Sequence, residues 1–209
     1  MKSSNDYKNA ALLALKGNWG PAVLLSLAYF GISVAFSAAG TSAGTSLAQV
    51  AVIICILLPL VVGMCAAFRG LLHGEKEDFV KGAFRVGFNN WVHNVGGMLL
   101  MAVYTFLWTL CLIVPGIIKS LSYAMTPYIL AEKPELSANE AIELSMKMME
   151  GHKMELFLLY LSFIGWGVLA LVTLCIGYLW LTPYMYTAQA AFYEDVKAEY
   201  ESKLAVAEA

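Results

Sequence analysis

Leu110-Cys-Leu-Ile-Val-Pro-Gly-Ile-Ile-Lys-Ser-Leu-Ser-Tyr-Ala-Met-Thr-Pro-Tyr-Ile-Leu130 decides how this chain is read. The stretch is almost wholly apolar. It carries one cation, Lys119, and is broken at Pro115-Gly116 and again at Pro127. The rest of the chain matches it: of 209 residues, 60% are hydrophobic and 13% are charged. Soluble domains carry about a quarter charged residues. A water-soluble fold of this size has too little interior to hide so much apolar surface. The solvent that accepts it is a bilayer. A net charge of -2 sets up no basic field for nucleic acid.

Six apolar runs approach the roughly 20 residues that a crossing needs. They are Trp19–Ala38, Leu47–Leu72, Trp91–Val114, Ile117–Ala131, Leu156–Leu174 and Ile176–Tyr193. The last two cannot be one helix. From Glu155 to Tyr193 an unbroken helix would reach about 60 Å, at about 1.5 Å per residue, which is twice the hydrocarbon thickness. Thr173–Gly177 is therefore expected to turn. The run from Trp19 is too long, and its polar lead too extended, for a cleaved signal peptide, so it reads as a retained span. The expected fold is all-α: a polytopic membrane protein of six transmembrane helices in three hairpins, residues 1–193, with a charged, solvated tail over 194–209.

Ionised residues cluster in four segments, around 2–16, 69–85, 132–155 and 194–203, and Lys119 is the exception. Three intervening corners, Ala39–Ser46, Val114–Gly116 and Thr173–Gly177, carry no charge. Counting Lys and Arg by the positive-inside rule puts the charged segments and both termini in the cytoplasm.

The chain also echoes itself. Pro59, Ala66, Ala67 and Phe68 match Pro183, Ala190, Ala191 and Phe192 in register, and Thr126-Pro-Tyr128 matches Thr182-Pro-Tyr184. Three copies of one unit are expected, each with a surface helix, a span, a turn and a proline-bearing span, like the parallel repeats of transporters. Pro59, Pro127 and Pro183 should kink their spans and free carbonyls for neighbours to satisfy. Pro115-Gly116 suits a tight corner, because proline lacks a donor and glycine tolerates left-handed geometry.

Between the runs, Ser137-Ala-Asn-Glu140 is a capping box that opens a helix reaching about Glu150, with Gly151 as its stop. Its polar residues (Asn139, Glu140, Glu143, Lys147, Glu150) lie opposite Ala141, Ile142, Ser145 and Met148, as in an amphipathic helix. Residues 75–88 and, more weakly, 4–16 pattern similarly. These helices either lie at the headgroups and brace the bundle or offer a docking surface.

Lys119 has two readings. It is an anchor that snorkels to the outer headgroups, or a cation that lines a cavity for a lipid phosphate or an anionic substrate. Tyr123, Tyr128 and Tyr184 could line the same cavity or simply pack. Cys55, Cys65, Cys111 and Cys175 sit in apolar runs without C-x-x-C spacing and read as buried small hydrophobes. No catalytic motif appears. His73, His93 and His152 lack metal-ligand spacing, and the spans contain no acidic residue. Neither a catalytic residue, a metal nor a cofactor is expected.

Residues 115–130, Pro134-Glu-Leu-Ser-Ala-Asn-Glu-Ala-Ile142, the run from Lys147 to Lys153 and Leu161-Ser-Phe-Ile-Gly-Trp166 resemble one known group. It is the bacterial integral membrane family of domain of unknown function 975, itself similar to the membrane portion of some glycerophosphodiester phosphodiesterases. The resemblance implies a six-helix domain in a bacterial plasma membrane and no established activity. The expected function is a non-enzymatic membrane module that binds lipid or a partner protein, as part of envelope homeostasis or export. The alternative is a small transporter or permeation pathway for lipid-like or anionic molecules, and a weaker third option is an enzyme acting on lipid headgroups. The expected partners are membrane lipids, with a membrane protein or a second copy of the chain possible, and no nucleic acid.

Overall fold

The structure, a computed structural model, describes residues 2–38, 50, 51, 53–75, 78–173 and 175–207. The expected corner 39–46, residues 47–49 of the second run and Leu174 of the last corner lie outside the described residues. The described chain is helical and contains no strand. It runs α1 (Ser4–Leu15), α2 (Trp19–Ala38), a π-helical turn (Ile53–Leu57), α3 (Leu58–Leu72) and α4 (Phe79–Asn89). It continues through α5 (Trp91–Cys111), α6 (Ile113–Tyr123), α7 (Thr126–Glu132), α8 (Ala138–Met148), α9 (Lys153–Leu161), α10 (Ile164–Val172) and α11 (Tyr178–Ala207).

Among the described residues, three stretches are long and apolar enough to cross a membrane: Ile53–Leu72, Trp91–Cys111 and Lys153–Val172. A fourth counts if α1 and the Trp19–Ala35 part of α2, bent by 102° at their junction, act as one span. Gly17 makes that corner, at φ 81°, a left-handed conformation that costs glycine little. The chain is a membrane protein built from helices.

Local signals set many helix ends. Ser137 accepts from the Glu140 amide at 3.3 Å, and the Glu140 carboxylate accepts from the Ser137 amide at 2.7 Å, as the capping box requires. Gly151 stops that helix region at φ 86°. A second capping box opens α1: the Asp6 carboxylate accepts from the Ser3 amide at 2.7 Å, and Ser3 Oγ from the Asp6 amide at 3.4 Å. The pattern Ser3-x-x-Asp6 signals it, but with Asp rather than Glu at the third position.

The three charged helices do not stand apart from the others. The helix α4 packs antiparallel on α3, so closely that a methyl on Gly63 would overlap the Ala83 carbonyl and one on Gly87 that of Pro59. The helix α8 packs against α5, α6 and α7 and buries Ala141, Ile142, Ser145 and Met148. The helix α1 runs antiparallel along α11, with Lys2 bonded to Asp195 at 2.8 Å and the Tyr7 ring 5.4 Å from Phe192.

Several expectations change. The corner after α5 lies at Leu112, whose backbone is extended (φ -160°, ψ 139°), and not at Pro115-Gly116. Pro115 falls in the first turn of α6, where a missing N–H costs nothing. Gly116 is a contact residue: a side chain there would strike Thr109 of α5. The prolines do not make three equal kinks. Pro59 follows the π turn, Pro127 follows the break at Ala124–Met125 that divides α6 from α7, and Pro183 sits inside the uninterrupted α11. The run 117–131 is thus two helices, and the run 156–174 is also interrupted, at Ser162–Phe163. The helix α11 continues through Tyr193 to Ala207, and Val196 beyond that boundary is fully buried. Of the cysteines, Cys65 is buried, Cys55 is half-buried, and Cys111 and Cys175 are exposed.

Candidate functional site

Ionised side chains converge where α3, α7 and α11 meet. Arg69 lies 3.3 Å from Glu132 and also pairs with Glu194. Lys197 pairs with Glu132, and the Tyr193 hydroxyl donates to the same carboxylate at 2.6 Å. His73 Nε2 lies 3.2 Å from Glu194. Partial burial pushes the Glu132 carboxyl up, but hydrogen bonds from Lys197 and Tyr193 and the charge of Arg69 outweigh it and hold it below its ordinary value. Glu194 behaves alike: burial raises it, and the bonds from Arg69 and His73 bring it down. These pairs tie three helices together at one end of the bundle. They were not legible beforehand, because each partner lies more than sixty residues from the next along the chain.

Above this belt sits a buried tyrosine cluster. The Tyr128 ring stacks 5.0 Å from Tyr193, and its hydroxyl donates to the Tyr186 carbonyl at 3.3 Å. Tyr128 is fully buried, so it packs the core.

Of the expected site residues, the structure brings Lys119 and Tyr123 to one ring, that of Trp108, and leaves Tyr128 and Tyr184 elsewhere. Lys119 Nζ lies 5.0 Å over the Trp108 ring and 3.8 Å from Met146 Sδ. Met146 belongs to α8, the helix with the charged face. Ser145, beside it, donates to the Ser122 carbonyl at 2.8 Å. Lys119 is thus held between α5, through Trp108, and α8, through Met146. Tyr123 is buried beside Tyr104, with ring centroids 6.4 Å apart. Tyr184 stands elsewhere, edge-on to Phe163 at 5.1 Å. It forms part of the wall of an almost wholly apolar groove of about 420 Å³ between α10 and α11.

The histidines also gain partners that spacing did not reveal. His152 is buried, with Nδ1 3.2 Å from Glu155 and Nε2 3.3 Å from Glu199. Both ring nitrogens are thus engaged by carboxylates, which suits a tie between α9 and α11 better than proton transfer to a substrate. His93 Nε2 is buried without a hydrogen-bond partner among the described residues. No group of three or more His, Cys, Asp or Glu side chains among the described residues is arranged to hold a metal ion.

No curated protein and no solved structure matches this chain. A family model does match, over residues 94–200, from the first third of α5 to the charged part of α11. That region holds Lys119, the tyrosine cluster, Glu132 and Glu194, and it covers half the chain: the protein belongs to the family described as Protein of unknown function (DUF975).

Proposed function

We propose that this protein is a non-enzymatic membrane module that binds lipid, or a membrane-protein partner, in a bacterial plasma membrane. In this reading it has six spans in three hairpins, with both termini cytoplasmic. The likeness to the membrane portion of glycerophosphodiester phosphodiesterases belongs to the same proposal and carries no catalytic residue with it.

One observation carries the reading. The ionised side chains near the bundle end pair with one another, while the flanks of α5, α6 and α10 turn large apolar side chains outward. Phe106, Leu110, Ile113, Val168 and Val172 are each more than half exposed. Paired charges hold helices in place, and exposed apolar flanks require lipid or another apolar surface. The threefold repeat gains support from the packing: α4 docks on α3, α8 on α7, and α1 on α11. Each charged helix thus seats on a proline-bearing helix, and α1 would close the cycle. The amphipathic character of α8 is supported by its buried face. Transport has less support, since Lys119, Tyr128 and Tyr184 stand in three separate environments.

Native mass spectrometry of the full chain, gently extracted from its membrane, tests the reading. Retained lipid or a co-purified membrane protein is expected. A chain that emerges folded and free of both overturns it.

A further inference from the structure

We propose that the groove between α10 and α11 takes an acyl chain of an anionic phospholipid whose headgroup is held by Lys8. The proposal rests on the lipid-binding reading and names its site.

The groove is lined by Leu12 of α1, Trp166 and Leu169 of α10, and Trp180, Leu181 and Tyr184 of α11. Its lining is almost free of polar atoms, and Trp166, Leu169 and Trp180 are each more than half exposed, so it opens toward whatever surrounds the bundle. From Trp166 to Thr173 it follows α10 for about 10 Å. That lies within the depth of one leaflet, half of a hydrocarbon core about 30 Å thick.

Lys8 stands at one end. It lies one helical turn before Leu12, on the same face of α1. Its ammonium donates to the Ser162 carbonyl at 3.0 Å and sits 5.0 Å over the Phe163 ring, and that ring packs edge-on against Tyr184 in the groove wall. An ammonium has three donors, and the carbonyl uses one. Among the described residues no carboxylate pairs with Lys8, so its charge is uncompensated by them.

The polarity of α1 fixes which end is which. The contact of Lys2 with Asp195 places the start of α1 beside the charged end of α11, and Leu12 lies toward the apolar groove. Moving along α1, one passes from ionic belt to cation to groove. A cation at the mouth of a one-leaflet apolar slot complements a molecule with an anionic head and a hydrocarbon tail. A partner helix laid in the groove would leave Lys8 without a counter-charge.

The test uses the full chain, reconstituted into vesicles of phosphatidylcholine with a minority of phosphatidylglycerol and then extracted in mild detergent. Native mass spectrometry counts retained lipids, and circular dichroism confirms folding. The native chain is expected to keep phosphatidylglycerol in preference to phosphatidylcholine. Lys8→Gln should lower phosphatidylglycerol retention roughly tenfold, the scale of one charge-assisted hydrogen bond, and leave phosphatidylcholine unchanged. Lys8→Arg should restore it. Leu12→Trp, which fills the slot from its exposed side, should lower both lipids. Lys16→Gln, which removes an exposed cation just past the end of α1, should change nothing. Retention indifferent to Lys8→Gln and Leu12→Trp, or lowered as much by Lys16→Gln, overturns this site while lipid binding stands. A native chain that keeps neither lipid overturns the lipid-binding reading itself.

Discussion

The indole of Trp91 donates a 2.7 Å hydrogen bond to the carbonyl of Cys55. Cys55 lies four residues before Pro59, so its α-helical donor would be the N–H that proline lacks. The start of α5 thus serves a backbone oxygen at the π turn before α3, thirty-six residues earlier. In a bilayer an unserved carbonyl is costly, because no water replaces the lost donor.

Trp91→Phe should therefore destabilise the protein by about 1 kcal/mol, the net worth of one hydrogen bond. The loss should shrink in a Pro59→Ala background, where the helical donor returns. Unfolding of all four combinations in detergent measures this coupling as a double-mutant cycle. Equal losses in both backgrounds would separate the Trp91 bond from the proline.

Two glycines on α4 should respond in opposite directions. Gly87→Ala drives a methyl into the Pro59 carbonyl, and overpacking of that kind costs about 1–3 kcal/mol. Gly82 has open space around its missing side chain, so Gly82→Ala should gain up to about 1 kcal/mol of helix propensity. Thermal unfolding of both variants reads the contrast. A shared sign would mean that α4 does not seat on α3 as described.

The belt of Arg69, Glu132, Glu194 and Lys197 predicts acid sensitivity. Both carboxyls titrate below their ordinary value of 4.5 in the folded chain. A lowered folded pKa contributes stability that is complete above the unfolded value and lost as pH falls through the folded one. The unfolding temperature should therefore hold at neutral pH and drop as pH falls below about 4.5. Glu132→Gln should lower stability at neutral pH by roughly 1–2 kcal/mol, since Lys197 and Arg69 lose a counter-charge that is only partly screened by solvent. It should also flatten the acid slope.

Lys119 and Met146 should prove to be neighbours. In a background lacking the four native cysteines, Lys119→Cys and Met146→Cys should be joined by a short bifunctional thiol reagent. A protein that placed these positions on opposite faces of a bilayer would separate them by about 30 Å and give no product. Absence of the crosslink, with each single cysteine still reactive, would restore the picture of Lys119 at the far headgroups.

Much of the fold was legible before any coordinates. The start of α2 at Trp19, the start of α5 at Trp91, the cap at Ser137, the stop at Gly151 and the turn residues Thr173 and 175–177 are written in local signals of capping, glycine geometry and run length. The site was much less legible. Lys119 drew attention as a lone cation in an apolar run, yet its partners are Trp108, eleven residues back, and Met146, on a helix of opposite character. Pro115-Gly116 looked like a corner because both residue types favour turns. Proline is equally at home in a first helical turn, and glycine where two helices touch. Lys8 gave no signal at all, since one lysine on a short helix resembles any other.

By itself, the sequence determined the solvent. Sixty percent apolar residues in long runs, with ionised groups gathered into a few segments, point to helices in oil, because a bilayer offers backbone groups no water and a helix satisfies nearly all of them within its own segment. Tertiary structure decided which helix serves the Cys55 carbonyl, which carboxylates hold Arg69 and Lys197, and that α1 lies along α11 with Lys8 at the mouth of a groove. Composition and periodicity are properties of neighbours along the chain. These pairings join residues tens of positions apart, and only the packing of whole helices chooses among them.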